Sequence, residues 1–170
     1  YSAAYAGQLL DNETDATGVK LTYNYDAAGR VSLVTREGTT GVVQLKTSFT
    51  YDAAGRVTGQ SEGSDQAHPL TTARVFDGAG HMTSETPPGL GATTYAYTTA
   101  SNLLTVTDPN GNTVIETRNL DGTVTSITGT GTVAKYFSYG TETDGRQWTQ
   151  VNLGTSSSAR WQKSWIDCLG

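Results

Sequence analysis

The sequence holds a single cysteine, Cys168, in 170 residues. That excludes an internal disulfide framework and a zinc site built on cysteines, while leaving the compartment open. Charge is sparse: Asp, Glu, Lys and Arg make up 16%, against about 25% in an average soluble domain. The 11 Lys and Arg stand singly in a chain of net charge −5 and pI about 4.8. A grip on nucleic acid or on an anionic lipid surface needs clustered basic residues, so neither partner is expected. No apolar run approaches the roughly 18 residues of a membrane span, and no signal peptide is visible. The only Met is Met82 and the chain opens on Tyr1, which points to a processed product or an excerpt of a longer polypeptide. No ten-residue stretch carries a helical hydrophobic period.

What is abundant is Thr (30) and Gly (20). Thr and Tyr suit a pleated, half-buried surface and Gly punctuates it, so an all-β chain is expected. The length allows one domain with enough material to bury a core.

The string "YDAAGRV" occurs twice, at Tyr25–Val31 and Tyr51–Val57. Its skeleton, Asp-x-x-Gly, occurs six times, at Asp15–Gly18, Asp26–Gly29, Asp52–Gly55, Asp77–Gly80, Asp108–Gly111 and Asp167–Gly170. Chance would give about one. An aromatic (Tyr25, Tyr51, Phe76) precedes the Asp in three copies, and Trp165 stands two before Asp167. Asp accepts backbone N–H bonds at the head of a tight turn, and Gly supplies the positive φ that closes a type I turn with a bulge. Strands should flank each copy. Leu21, Tyr23 and Tyr25 alternate with polar residues, as do Val43, Leu45, Thr47, Phe49 and Tyr51. In "YTTASNL" (Tyr97–Leu103) Asn102 is expected to take the left-handed position. The expected unit is strand, four-residue turn, strand, then a longer return loop such as Arg36–Gly41, Gly59–Pro69 or Thr86–Ala92. About six such hairpins would build an antiparallel sheet that twists and grows hairpin by hairpin.

These residues resemble the YD-repeat (RHS-repeat) family, whose unit reads Tyr-Asp-x-x-Gly-Arg-Leu/Val-Thr. Here it stands as Tyr25-Asp26-Ala27-Ala28-Gly29-Arg30-Val31 and Tyr51-Asp52-Ala53-Ala54-Gly55-Arg56-Val57-Thr58. Phe76–Thr86 and Thr107–Thr113 are variants. The resemblance is clear over 14–124, weakens over 125–159, and returns as a truncated copy in 160–170. It implies a β-strip that spirals into a hollow shell, as in bacterial polymorphic toxins, insecticidal toxin-complex shells, wall-associated proteins and teneurins. It also implies an extracellular or cell-surface setting, in bacteria for most of these, and an enclosed C-terminal effector. No equivalent of the family's aspartyl-protease-like self-cleavage segment stands in this sequence. The 170 residues read as part of a longer repeat array.

Against this frame the other candidates are weak. The repeated Asp residues line up at turn tips, whereas a catalytic pair must converge. Asp108–Asn112 has calcium-loop spacing but Thr113 and Asn119 where Gly and Glu are needed. His68 and His81 lie 13 apart without a ligand cluster, and no nucleophile elbow is present. Trp148, Trp161 and Trp165 crowd the C-terminal part among amides. They are either core anchors of the last hairpins or a flat platform for a surface glycan. Cys168 is an incidental thiol or an intermolecular link. Asn12–Thr14 is an N-glycosylation acceptor only in a eukaryotic secretory pathway, and Asn152–Arg160 is a flexible polar loop.

The expectation is a non-enzymatic, cofactor-free scaffold of serial antiparallel hairpins, a partial shell or fibre-like array. Its structural turns are Tyr25, Asp26, Gly29, Arg30; Tyr51, Asp52, Gly55, Arg56; Phe76, Asp77, Gly80; Asp108, Gly111; and Asp167, Gly170. Its partners are neighbouring repeats, an enclosed toxin cargo, a surface glycan, or copies of itself in an oligomer or fibre.

Overall fold

The computed structural model describes residues 1–64, 68–98 and 102–166. Among them are fifteen strands and no helix. The chain divides into two units, Tyr1–Leu90 and Gly91–Gly170.

The first unit holds β1 (Ser2–Ala6), β2 (Leu9–Thr14), β3 (Lys20–Tyr25), β4 (Val31–Glu37), β5 (Val43–Tyr51), β6 (Val57–Gly63), β7 (Leu70–Phe76) and β8 (Met82–Thr86). Each strand pairs antiparallel with the next. The register puts Leu21, Tyr23, Val34, Leu45, Thr47 and Phe49 on one face, and Thr22, Thr35, Ser48 and Ser61 on the other. The apolar row does not run the full width. From β6 onward the same face carries Gln60, Glu62 and the Arg74–Glu85 ion pair, at 2.9 Å.

The second unit holds β9 (Thr93–Thr98), β10 (Leu103–Thr107), β11 (Thr113–Arg118), β12 (Val124–Thr128), β13 (Lys135–Thr141), β14 (Gln147–Leu153) and β15 (Trp161–Ile166). They too pair antiparallel in chain order. Phe137, Tyr139, Val151 and Leu153 share one face; Tyr136, Ser138, Gly140, Trp148 and Gln150 share the opposite one.

The fold is all-β, built from serial hairpins. The length would allow a core, but the chain does not spend it on one. Among the described residues no apolar side chain is buried, and Asn152, 6% exposed, is the one buried residue. A single sheet layer covers neither of its faces, so alternation yields half-buried rows rather than an interior. Asn152 also orders the connection after β14, which the sequence presents as flexible. Its Nδ2 donates to the Ser158 carbonyl at 2.9 Å, and Leu153 N–H donates to the Arg160 carbonyl at 2.9 Å.

Candidate functional site

The recurring element is a five-residue turn. In Asp26–Arg30, Gly29 N–H donates to the Asp26 carbonyl at 3.0 Å and Asp26 N–H to the Arg30 carbonyl at 2.8 Å. Gly29 sits at φ +77°, a region that costs a side-chain-bearing residue about 1–2 kcal/mol. Asp26 Oδ1 accepts the N–H groups of Ala28 (2.9 Å) and Arg30 (3.0 Å). Oδ2 is left for Arg30, whose Nε and Nη2 both reach it at 2.7 Å. The Arg30 side chain, foremost, holds the Asp26 carboxyl below its ordinary value of 3.8. Tyr25 pairs with Val31 beside a bulge.

Eight turns among the described residues share these two backbone bonds. They begin at Asp15, Asp26, Gly38, Asp52, Asp77, Asp108, Asn119 and Glu142. Three were not singled out in the sequence. Gly38–Val42 overlaps the expected return loop Arg36–Gly41, so that return is itself a tight turn. Asn119–Thr123 and Glu142–Arg146 lack a leading Asp. There the carboxylate moves to the third position: Asp121 Oδ1 accepts Thr123 N–H at 2.9 Å, and Asp144 Oδ1 accepts Arg146 N–H at 3.1 Å. The Asp-Gly pairs at 121–122 and 144–145 carried that signal. Asn102 stands at φ +44°; residues 99–101 of its turn, like Asp167, Cys168 and Gly170, lie outside the described residues.

The turns at Asp26, Asp52 and Asp77 join β3 to β4, β5 to β6 and β7 to β8, so they occupy one end of the strands. Successive tips are two strands apart, roughly 10 Å, within reach of an arginine. Arg30 Nη1 donates to the Asp52 carbonyl at 3.2 Å, and its guanidinium lies 4.4 Å from the Tyr51 ring centroid. Arg56 repeats this on the Asp77 carbonyl (3.2 Å) and the Phe76 ring (4.8 Å). In return, Tyr51 Oη donates to the Val31 carbonyl at 2.6 Å. The Tyr51-Asp52 and Phe76-Asp77 pairs thus each receive the Arg of the preceding copy. His81 holds the fifth position of the third turn, Nδ1 3.0 Å from Asp77 Oδ2. His68 lies on the exposed connection before β7. Among the described residues no group of three or more His, Cys, Asp or Glu could hold a metal ion. In Asp108–Asn112 both carboxylate oxygens serve the turn: Oδ1 accepts two backbone N–H groups and Oδ2 the Asn112 amide, each at 2.8 Å.

The tryptophans are brought together. Trp148 pairs with Trp165 and Asn152 with Trp161, putting all three on one face, opposite Phe137, Tyr139 and Val151. They therefore do not extend the unit's apolar row. Between them stands Lys163, its Nζ 4.0 Å from the Trp148 ring centroid and 5.3 Å from that of Trp165. Glu142 Oε1 accepts Lys163 Nζ at 2.9 Å and Trp165 Nε1 at 3.2 Å. Glu142 can do so because Asp144 has taken over the turn. The Lys163 bond foremost, then Trp165, holds the Glu142 carboxyl below its ordinary value. Trp148 lies so close over Gly140 that a Cβ there would fall 2.3 Å from Cζ2.

A second carboxylate collects phenols. Glu13 accepts Tyr1 Oη and Tyr23 Oη, each at 2.7 Å. Donating to the carboxylate, with some burial, pushes Tyr23 up to about 12.

Serial hairpins, three of them tied in succession through side chains at their turns, define a structural repeat scaffold. Residues 5–164 match the teneurin YD-shell family model. The chain belongs to that family, whose fold is structural and non-catalytic. The match runs through the divergent stretch 125–159. No curated protein matches the chain. Among the described residues no helix is long and apolar enough to cross a membrane.

Proposed function

We propose that this strip forms part of the wall of an enclosing β-shell, within a longer array of the same turns, in a secreted or cell-surface protein of bacterial type. The observation that carries this reading is the repeated tie from the Asp26 turn to the Asp52 turn and from there to the Asp77 turn, in strips that among the described residues bury no apolar side chain. A layer without a core gains its order from neighbours along the strip, and lengthening it adds joints without changing them. The interior of such a wall is the natural place for a toxin-like cargo. Electron microscopy of the complete polypeptide tests this: a hollow particle with the strip in its wall is expected. A solid particle overturns the shell, and a filament of stacked copies replaces it with the fibre.

The adhesion reading of the tryptophans is less favoured. Lys163 lies against the rings of Trp148 and Trp165, where a sugar ring would have to stack.

A further inference from the structure

The Asp108–Asn112 turn between β10 and β11 presents an asparagine followed by a glycine, Asn110-Gly111, both exposed. We propose that Asn110 is a self-modification site: it converts spontaneously to aspartate and isoaspartate, and the change loosens the β10–β11 hairpin as the protein ages.

Conversion starts when the Gly111 amide nitrogen, its proton lost to base, attacks the Asn110 side-chain carbonyl carbon. The bond from that carbon to the side-chain nitrogen breaks, ammonia leaves, and a cyclic succinimide remains. Water then opens the ring at either carbonyl. One opening gives aspartate; the other reroutes the main chain through the side chain and gives isoaspartate. The reaction needs a following residue that does not crowd the ring, a free side-chain amide, and an accessible following nitrogen. Asn110 meets all three conditions. Gly111 has no Cβ to crowd the ring. Among the described residues the Asn110 side-chain amide makes no hydrogen bond. A Cβ at Gly111 would meet nothing within 4 Å, so base and water have access. Every other asparagine precedes a residue with a side chain. Asn12, Asn102, Asn112, Asn119 and Asn152 also donate their amides to a neighbour. One contact opposes the reaction at Asn110: Gly111 N–H donates to the Asp108 carbonyl at 3.0 Å, so the turn must open first.

The products do not fit the turn that makes them. A carboxylate at position 110 takes the third place, from which Asp121 and Asp144 accept the N–H of the fifth residue in their own turns. Here Asp108 Oδ1 already accepts that N–H, from Asn112 at 2.8 Å. Two like charges then compete for one donor. Isoaspartate also adds a main-chain atom, which draws Gly111 N–H away from the Asp108 carbonyl.

The test incubates the intact chain in mildly alkaline buffer, folded and in urea. Proteolytic mapping by mass spectrometry locates the exchange of amide NH2 for OH, and an isoaspartate-specific methyltransferase detects the rerouted product. Asn110 should be the first asparagine to convert in the folded chain, with isoaspartate among the products. Urea should speed conversion by up to about tenfold, the factor that one broken turn hydrogen bond allows. Asn110→Asp should lower the melting temperature by roughly 2–4 °C, whereas Asn110→Ser should melt like the parent. The proposal is overturned if another asparagine converts first in the folded chain, or if Asn110 there does not convert. It is equally overturned if Asn110→Asp melts like the parent, or if Asn110→Ser is destabilised as much as Asn110→Asp.

Discussion

Arg30 and Arg146 occupy the same position in the same kind of turn, yet one reaches out and the other folds back. In the Tyr1–Leu90 unit the turn carboxylate stands first, at Asp26 or Asp52. It holds the near side of the guanidinium and lets Nη1 extend to the following tip. In the Asn119 and Glu142 turns of the Gly91–Gly170 unit the carboxylate stands third. Arg146 Nε meets Asp144 Oδ2 at 2.7 Å within its own turn, and Arg118 Nη1 ends on the Gly122 carbonyl at 2.8 Å. The joints in that unit come from other chemistry, the Glu142–Lys163–tryptophan cluster and Thr113 with Thr130. Where an Arg holds the fifth position, a carboxylate at the first goes with a link to the next tip and one at the third with a closed loop. Tyr139 shows that a joint can also be rebuilt from a new place. Its bond to the Val124 carbonyl matches that of Tyr51 to Val31, though Tyr139 does not directly precede a turn.

The largest effect should come where the second unit depends on backbone contact alone. A Cβ at Gly129 (φ +131°) would lie 2.1 Å from the Thr113 carbonyl oxygen. Gly129→Ala should cost roughly 3 kcal/mol, seen in denaturant melts. An unchanged midpoint would show that this crossing is not tight.

Next is Gly55→Val, at φ +84°, with an expected cost of about 1–2 kcal/mol. Gly122→Val should match it, because the backbone is the same in both units, while Gly78→Ala, in open space at ordinary φ, should be silent. A gap between the two valine variants would mean that the units differ in their turns and not only in their arginines.

Arg56→Met should then destabilise by roughly 1 kcal/mol through the lost ring and carbonyl contacts. Arg146→Met, whose ion pair is about half exposed on both sides, should shift the melt less. Equal shifts would remove the distinction drawn between the units. Tyr51→Phe should cost about 0.5–1.5 kcal/mol, and Phe76→Tyr should gain stability if the Val57 carbonyl can be reached in the same way.

The smallest and broadest effect concerns acid. Asp26 and Asp52 are held below their ordinary value of 3.8, by the Arg30 side chain and by the Arg56 backbone N–H respectively as the foremost causes. The unfolded chain therefore takes up these protons first. The stabilisation is fully present above the ordinary value and is lost as pH falls through the lowered one. Melting temperature should drop as pH falls below the ordinary value of 3.8, with a shallower slope in Arg30→Ala. An identical slope would show that Arg30 contributes nothing to it.

The hairpins were legible because a turn constrains consecutive residues: Asp, two spacers, a Gly and an apolar alternation on each side are all local. The ties were not, because Arg30 and Tyr51 meet across two strands, although the pairing of an Arg in one copy with an aromatic in the next was present in Arg30/Tyr51 and Arg56/Phe76. The Asn119 and Glu142 turns carry no leading Asp, so the Asp-x-x-Gly spacing does not mark them. The tryptophan platform was visible as composition, but its face and the lysine within it follow from the register of β13 to β15.

The contacts from Arg30 to Asp52 and from Arg56 to Asp77 are both 3.2 Å, although the intervening chain differs by one residue. The joint therefore measures lateral distance and ignores contour length. Insertions and deletions at the far strand ends should pass without disturbing the tied edge, whereas moving an aspartate within its turn by even one position would unlink it. A gene encoding such a strip can drift freely in length along one margin while the other is held to a fixed spelling.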